Sequence, residues 1–238
     1  MTFQNLPLQV RILPHQPFFV TFLLPKRISD YTCFMLSARI AFPILSKLQP
    51  PALQPNLILR MHLIDRLNAG LNGKLTLISA STGFGKTTLA CTWAKKSGRS
   101  VAWLALDDLD NDLRRFLTHF IYAIQVGQSE FGADLLESLK TAQPGAFLDE
   151  PGALTEALIT EIAALQTAFL FVLDDYHLIT NLKIQEILQF LINHQPANLH
   201  LALVTRSDPP WPLGRLRSRR EMNEIRGADL RFTPQESA

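Results

Sequence analysis

Between residues 74 and 97 an apolar run, KLTLISA, meets a glycine-bearing turn, GFGKTT, and passes into TLACTWAKKS. The first run has the β-branched and apolar content of a buried strand. The last has Leu89, Ala90, Trp93 and Ala94 on one helical face, basic residues at its end and Gly98 as a left-handed stop. Strand, glycine turn and helix in immediate succession are the setting of a phosphate-holding loop, usually written G-x-x-x-x-G-K-[ST]. Counting back from Gly85, the first glycine of that pattern falls at residue 80, which is Ala. Alanine is small enough for a strand-end corner, so the substitution is expected to cost little.

Each residue of the turn has an expected task. Gly83 and Gly85 let backbone N–H groups face phosphate oxygens. Phe84 and Thr88 complete the same loop, and the helix N-terminus adds partial positive charge. Lys86 reaches β- and γ-phosphates, and the Thr87 hydroxyl is a ligand for Mg²⁺. The competing reading is a plain glycine-rich turn.

The rest of the chain continues the alternation. VAWLAL (101–106), AFLFVL (168–173) and LHLALVT (199–205) read as strands, and Glu221–Ile225 as an edge strand. Helices are expected over 64–71, 87–97, 111–125, 154–165 and 183–193. The wholly apolar AFLFVL is expected to be central. The fold class that follows is α/β: a parallel sheet of about five strands with helices on both faces.

Two further strand ends carry polar groups. FLFVLDDYH delivers Asp174 and Asp175 directly after an apolar run. Asp174 is expected to hold Mg²⁺, and Asp175 to orient an attacking water. The alternative is a pair of turn carboxylates. The next strand ends in Thr205-Arg206-Ser207-Asp208, which points Arg206 into the ligand crevice as a sensor of terminal phosphate. Its alternative is a surface salt bridge. Asp107, Asp108, Asp110 and Asp112 read mainly as helix caps. His177 reads as packed or hydrogen-bonded, and the run Arg215, Arg217, Arg219, Arg220 as a solvated face.

Composition narrows the classes. Of 238 residues 47% are apolar and 18% charged, which suits a globular chain. A formal charge of +2 gives no long-range attraction to nucleic acid or anionic lipid. The two cysteines, Cys33 and Cys91, make no metal-like pair, and the simplest setting is reducing and cytoplasmic. No run reaches the apolar length that spans a bilayer, and no signal peptide is evident. Residues 1–45 are proline-rich and aperiodic, an atypical extension in which Met35 is an alternative start. Near the other end Thr233-Pro234-Gln235-Glu236 announces a helix by a capping box, and the chain stops at Ala238. The expectation is a fragment of a longer protein.

The strings GFGKTTL, VLDDYHLITN, FLINHQPANLHLALVTRSDPP and ADLRFTPQES resemble the nucleotide-binding domain of MalT-type activators, the large LuxR-family regulators of the STAND class of ATPases. The resemblance covers residues 46–238. It implies ATP with Mg²⁺ in this domain, with Gly83, Phe84, Gly85, Lys86, Thr87 and Thr88 as the loop, Asp174 and Asp175 as the second motif and Arg206 as the sensor. It also implies adenine-side contacts from Ile58 and Arg60, in the segment before the first strand. In such regulators an inducer binds further along the chain, and the active form self-associates and binds DNA through a C-terminal helix-turn-helix. Those parts are absent from these 238 residues. The expectations are therefore an ATP-binding, weakly hydrolysing switch module, no direct DNA binding, no membrane association, and self-association only with the missing domains. A guanine-reading N-K-x-D motif is absent. The alternatives are a self-contained P-loop ATPase or small-molecule kinase, and a broken gene product that folds poorly.

Overall fold

The computed structural model describes residues 43–141, 151–233 and 236. They belong to a unit running from Ala41 to Ala238. The extension expected over 1–45 lies outside the described residues except for residues 43–45.

Five strands build one sheet: β1 (Leu75–Ser79), β2 (Ser100–Ala105), β3 (Phe169–Asp174), β4 (Leu199–Thr205) and β5 (Met222–Arg226). Their order is β2-β3-β4-β1-β5, and every pairing is parallel. The expected α/β class and strand number agree with this. β3 is interior but not central, since β4 takes the middle and pairs with both β1 and β3. β4 is buried along its whole length as β3 is, despite His200 and Thr205, and apolar content alone does not rank two buried strands.

Alternation along each strand sends side chains to two separate cores. Leu75, Leu77, Leu104, Phe171, Leu201 and Leu203 join the first, with α3 (Leu113–Gln125), α4 (Ala133–Thr141), α5 (Pro151–Ala164) and α6 (Leu182–Asn193). Ile78, Trp103, Leu170, Val172, Val204 and Ile225 join the second, with α1 (Met61–Ala69) and α2 (Lys86–Lys96). A short α7 (Gly214–Ser218) precedes β5.

Three differences from the sequence reading have local causes. α3 begins at Leu113 because Asp112 caps it, its side chain accepting from the Arg115 N–H; a 3₁₀ turn, Asp108–Asn111, occupies the preceding residues. α4 was not expected; its nine residues bury three leucines and enter after Gly132, which has φ +67°. Part of the basic run is α7, and Arg215, Arg217, Arg219 and Arg220 are exposed as expected.

Both Thr233–Glu236 capping bonds are present. The Thr233 N–H donates to Oε2 of Glu236, and the Glu236 N–H to Oγ1 of Thr233, at 2.8 and 3.3 Å.

Candidate functional site

The turn after β1 sits at the carboxyl edge of the sheet, where α/β folds hold ligands. Ala80 is buried, and its N–H donates to the Thr205 carbonyl of β4. Among the described residues only Asp175 and Arg220 are non-glycines with positive φ. Ala80 therefore keeps ordinary backbone geometry, and nothing at that corner requires glycine. Gly83 and Gly85 differ: their φ values are +85° and +74°, in the left-handed region where a Cβ is strained. Gly85 is the N-cap of α2 and offers no side-chain cap. The N–H groups of the first turn, at Lys86, Thr87 and Thr88, are left for an outside acceptor.

Lys86 is 8% exposed and donates from Nζ to the Ser81 carbonyl at 2.9 Å. Its pKa is lowered, chiefly by burial and further by Arg206, while Asp175 and Asp174 oppose the shift. The next residue reaches across to β3: Thr87 Oγ1 donates to Oδ1 of Asp174 at 3.0 Å. The same oxygen accepts the Asp175 N–H, also at 3.0 Å. Asp174 is 3% exposed, and its carboxyl is pushed up to about 6 by burial first and by the Asp175 charge second. A desolvated carboxylate with one hydroxyl neighbour is a hard-oxygen pair suited to Mg²⁺, whose remaining positions are filled by water and phosphate. The described residues contain no group of three His, Cys, Asp or Glu side chains that could hold a metal ion.

Asp175 has φ +56°, which re-aims the chain at the strand tip, and its side chain is 48% exposed. Aspartate is among the few residues that tolerate this conformation. Arg206 is exposed at the tip of β4, and no hydrogen bond or ion pair holds it among the described residues. Its charge is nonetheless felt by Lys86 and His177. His177 is packed rather than hydrogen-bonded: among the described residues neither buried ring nitrogen has a hydrogen-bond partner, Nδ1 standing 3.9 Å from Oδ1 of Asp175, and burial first, then Arg206, lowers its pKa while Asp175 opposes.

Beside the loop lies a cavity of about 460 Å³, within the range of small-molecule sites. Ile58, Ile64, Phe84, Leu89, Leu230 and Phe232 form its apolar lining, and Thr88 and Arg60 border it. The sequence reading missed the wall from Leu230 to Phe232. These residues lie about 170 positions beyond Arg60, and no local pattern joins them. Arg60 is 9% exposed at its side chain, and all three guanidinium nitrogens donate to that distant segment.

The acidic cluster after β2 is structural. Asp107 and Asp110 form a capping box on the 3₁₀ turn. Asp110 is fully buried, bonded to Lys47, Arg115 and His119, and its carboxyl is held well below the usual range despite that burial, by its bonds to His119 and Lys47.

No family model matches the chain. It is 36% identical over 193 residues to the HTH-type transcriptional regulator MalT of Serratia proteamaculans, covering 81% of this chain and 21% of that protein. The MalT of Yersinia enterocolitica matches equally, 36% over 192 residues, with the same coverage of both. The chain thus spans about a fifth of the length of these curated relatives. Among solved structures, Cdc6p of Pyrobaculum aerophilum aligns with a TM-score of 0.48 at 16% identity, over 76% of this chain and 48% of that one. Drosophila ORC bound to DNA aligns at 0.41 and 18% identity, over 74% and 91%. Both scores fall short of 0.5. The chain has a P-loop NTPase-like α/β fold and is related in sequence to MalT regulators. No helix among the described residues is long and apolar enough to cross a membrane.

Proposed function

We propose that residues 46–238 bind ATP with Mg²⁺ and serve as the nucleotide-binding, weakly hydrolysing switch module of a MalT/LuxR-type cytoplasmic transcription regulator. The observation that carries the proposal is the bond from Thr87 Oγ1 to Asp174 Oδ1, made directly beneath a glycine loop that also supplies Lys86. A hydroxyl at the loop and a buried carboxylate at the tip of β3, one strand removed from β1, are the two protein oxygens a nucleotide-bound Mg²⁺ uses.

The roles follow from placement. Lys86 leaves the Ser81 carbonyl to meet the β- and γ-phosphates, and the N–H groups from Gly83 to Thr88 surround them. Thr87 and Asp174 hold Mg²⁺, which spreads the phosphate charge. Asp175, half-exposed, orients the attacking water, and Arg206, exposed and without a bond among the described residues, meets the terminal phosphate. Ile58, Phe84 and Phe232 flank the adenine. DNA binding and inducer recognition belong to parts of the relatives that this chain does not span, and self-association needs them as well.

The test is the melting temperature of the chain with and without Mg·ATP, alongside Lys86→Ala. At 100 times its Kd a ligand stabilises the folded state by about 2.7 kcal/mol. For a chain of this size that raises Tm by roughly 5–10 °C. The rise should vanish in Lys86→Ala. A sharp melt that Mg·ATP leaves unmoved in the unaltered chain would overturn the proposal.

A further inference from the structure

We infer that Arg60 does not read the base itself but holds the wall against which the base packs, so that base affinity and the position of residues 230–232 are coupled. The inference rests on the nucleotide reading above and assigns Arg60 a positioning role within it.

The guanidinium is committed elsewhere. Nε donates to Oε1 of Glu236 at 2.9 Å, Nη1 to the Leu230 carbonyl at 2.9 Å, and Nη2 to the Arg231 and Asp229 carbonyls at 2.8 and 3.0 Å. Nη2 also lies 3.3 Å from Oε2 of Glu236. Its Cζ stands 5.2 Å from the centre of the Phe232 ring, within range of a cation–π contact. Three consecutive carbonyls, a carboxylate and an aromatic face thus converge on one planar cation. Lysine offers no such fork.

The gripped segment is the cavity wall. Leu230, Arg231 and Phe232 line the 460 Å³ space together with Phe84 and Leu89. Phe232 is 59% exposed and Phe84 36%, so the two rings present apolar surface that a flat heterocycle would cover. Little else fixes the outer part of the wall. Asp229 has its own anchors in Arg66 and the Arg226 N–H. Arg231 and Phe232 are exposed; beyond one long backbone bond, from the Arg231 N–H to the Ala228 carbonyl at 3.4 Å, they are held by the Arg60 bonds and the Thr233–Glu236 cap. Removing Arg60 therefore leaves the strand end in place and frees the outer wall.

Glu236 separates positioning from direct contact. It is bonded to Arg60 but does not line the cavity. If Arg60 touched the base, releasing it from Glu236 would leave affinity unchanged or improve it. If it holds the wall, losing Glu236 weakens base binding.

The experiment measures affinity of the 238-residue chain for Mg·ATP and for Mg·tripolyphosphate, which has the phosphates and no base. Arg60→Ala should lower Mg·ATP affinity about tenfold and leave tripolyphosphate within twofold. Glu236→Ala should lower Mg·ATP affinity about threefold, again sparing tripolyphosphate, and the double variant should match Arg60→Ala. Phe232→Ala, at an exposed position, gives the same split without touching the core. Equal losses for both ligands, or Glu236→Ala at unaltered Mg·ATP affinity, overturn the wall role while leaving the nucleotide site intact. Failure of the unaltered chain to bind either ligand overturns the nucleotide reading itself and the wall role with it.

Discussion

Lowering the pH should strain the amino edge of the sheet, opposite the phosphate loop, through one side chain, His200. It is fully buried on β4, edge-on to Trp93 of α2 at 6.0 Å. Its Nδ1 lies 2.9 Å from the Gly73 carbonyl, which can only accept, so Nδ1 carries the proton. Nε2, 2.8 Å from Oγ1 of Thr76, then accepts from that hydroxyl. The neutral ring is satisfied, and a second proton would place a charge in a fully buried site. Burial first, and Arg99 as well, push its pKa down to about 4 from 6.5, while the Gly73 and Leu71 carbonyls oppose. The folded pKa is depressed for a base, so the unfolded chain takes a proton that the folded chain refuses. Stability is complete above pH 6.5 and is lost as pH falls toward 4. The loss reaches about 2.5 kcal/mol at pH 4.5. Asp174 runs the other way: its raised folded pKa gains about 2 kcal/mol over the same window as the desolvated carboxylate is neutralised. The two nearly cancel in the unaltered chain. The assay is therefore urea unfolding by tryptophan fluorescence at pH 7.5 and 4.5 in an Asp174→Asn background, with and without His200→Asn. The chain retaining His200 should lose about 2.5 kcal/mol more between the two pH values than its His200→Asn partner. Equal losses would refute the assignment of a neutral, desolvated imidazole at this position.

Asp174→Asn alone keeps an acceptor for Thr87 and removes a carboxylate that burial disfavours. At pH 7.5 it should stabilise the ligand-free chain by about 2–3 kcal/mol in urea titrations while abolishing the Mg²⁺ dependence of ATP binding. Ala80→Gly restores the usual loop pattern but serves no backbone need, so the melt should fall by about 1 kcal/mol with the Mg·ATP shift unchanged. Gly132→Ala places a Cβ 2.5 Å from Cγ2 of Ile121 at φ +67°, and should cost about 2–4 kcal/mol in denaturant. Gly127→Ala, with open space and no positive φ, is the matched control and should be neutral.

The local elements were legible because their causes are local. Apolar, β-branched runs marked β1 to β4, and GFGKTT announced the turn that Gly83 and Gly85 make at positive φ. Asp174 and Asp175 were visible as polar residues at the end of an apolar run. α4 was not visible, since nine residues with three buried leucines give too little periodicity to stand out. Ala80 raised a question that sequence could not answer, because φ at a strand end is set by the partner strand, here through the Thr205 carbonyl. The acids after β2 were legible as caps, yet the burial of Asp110 with Lys47 and His119 was not.

The sequence by itself determined the layering of the fold, the loop, and the residue types delivered to each strand tip. These depend on interactions among neighbours a few positions apart. Tertiary structure alone decided that Thr87 meets Asp174, that Arg206 stands without a partner among the described residues, and that Arg60 grips a segment some 170 residues away. Parallel crossovers carry distant segments to one sheet edge, and desolvation there sets which charges pair and which side chains a cavity exposes.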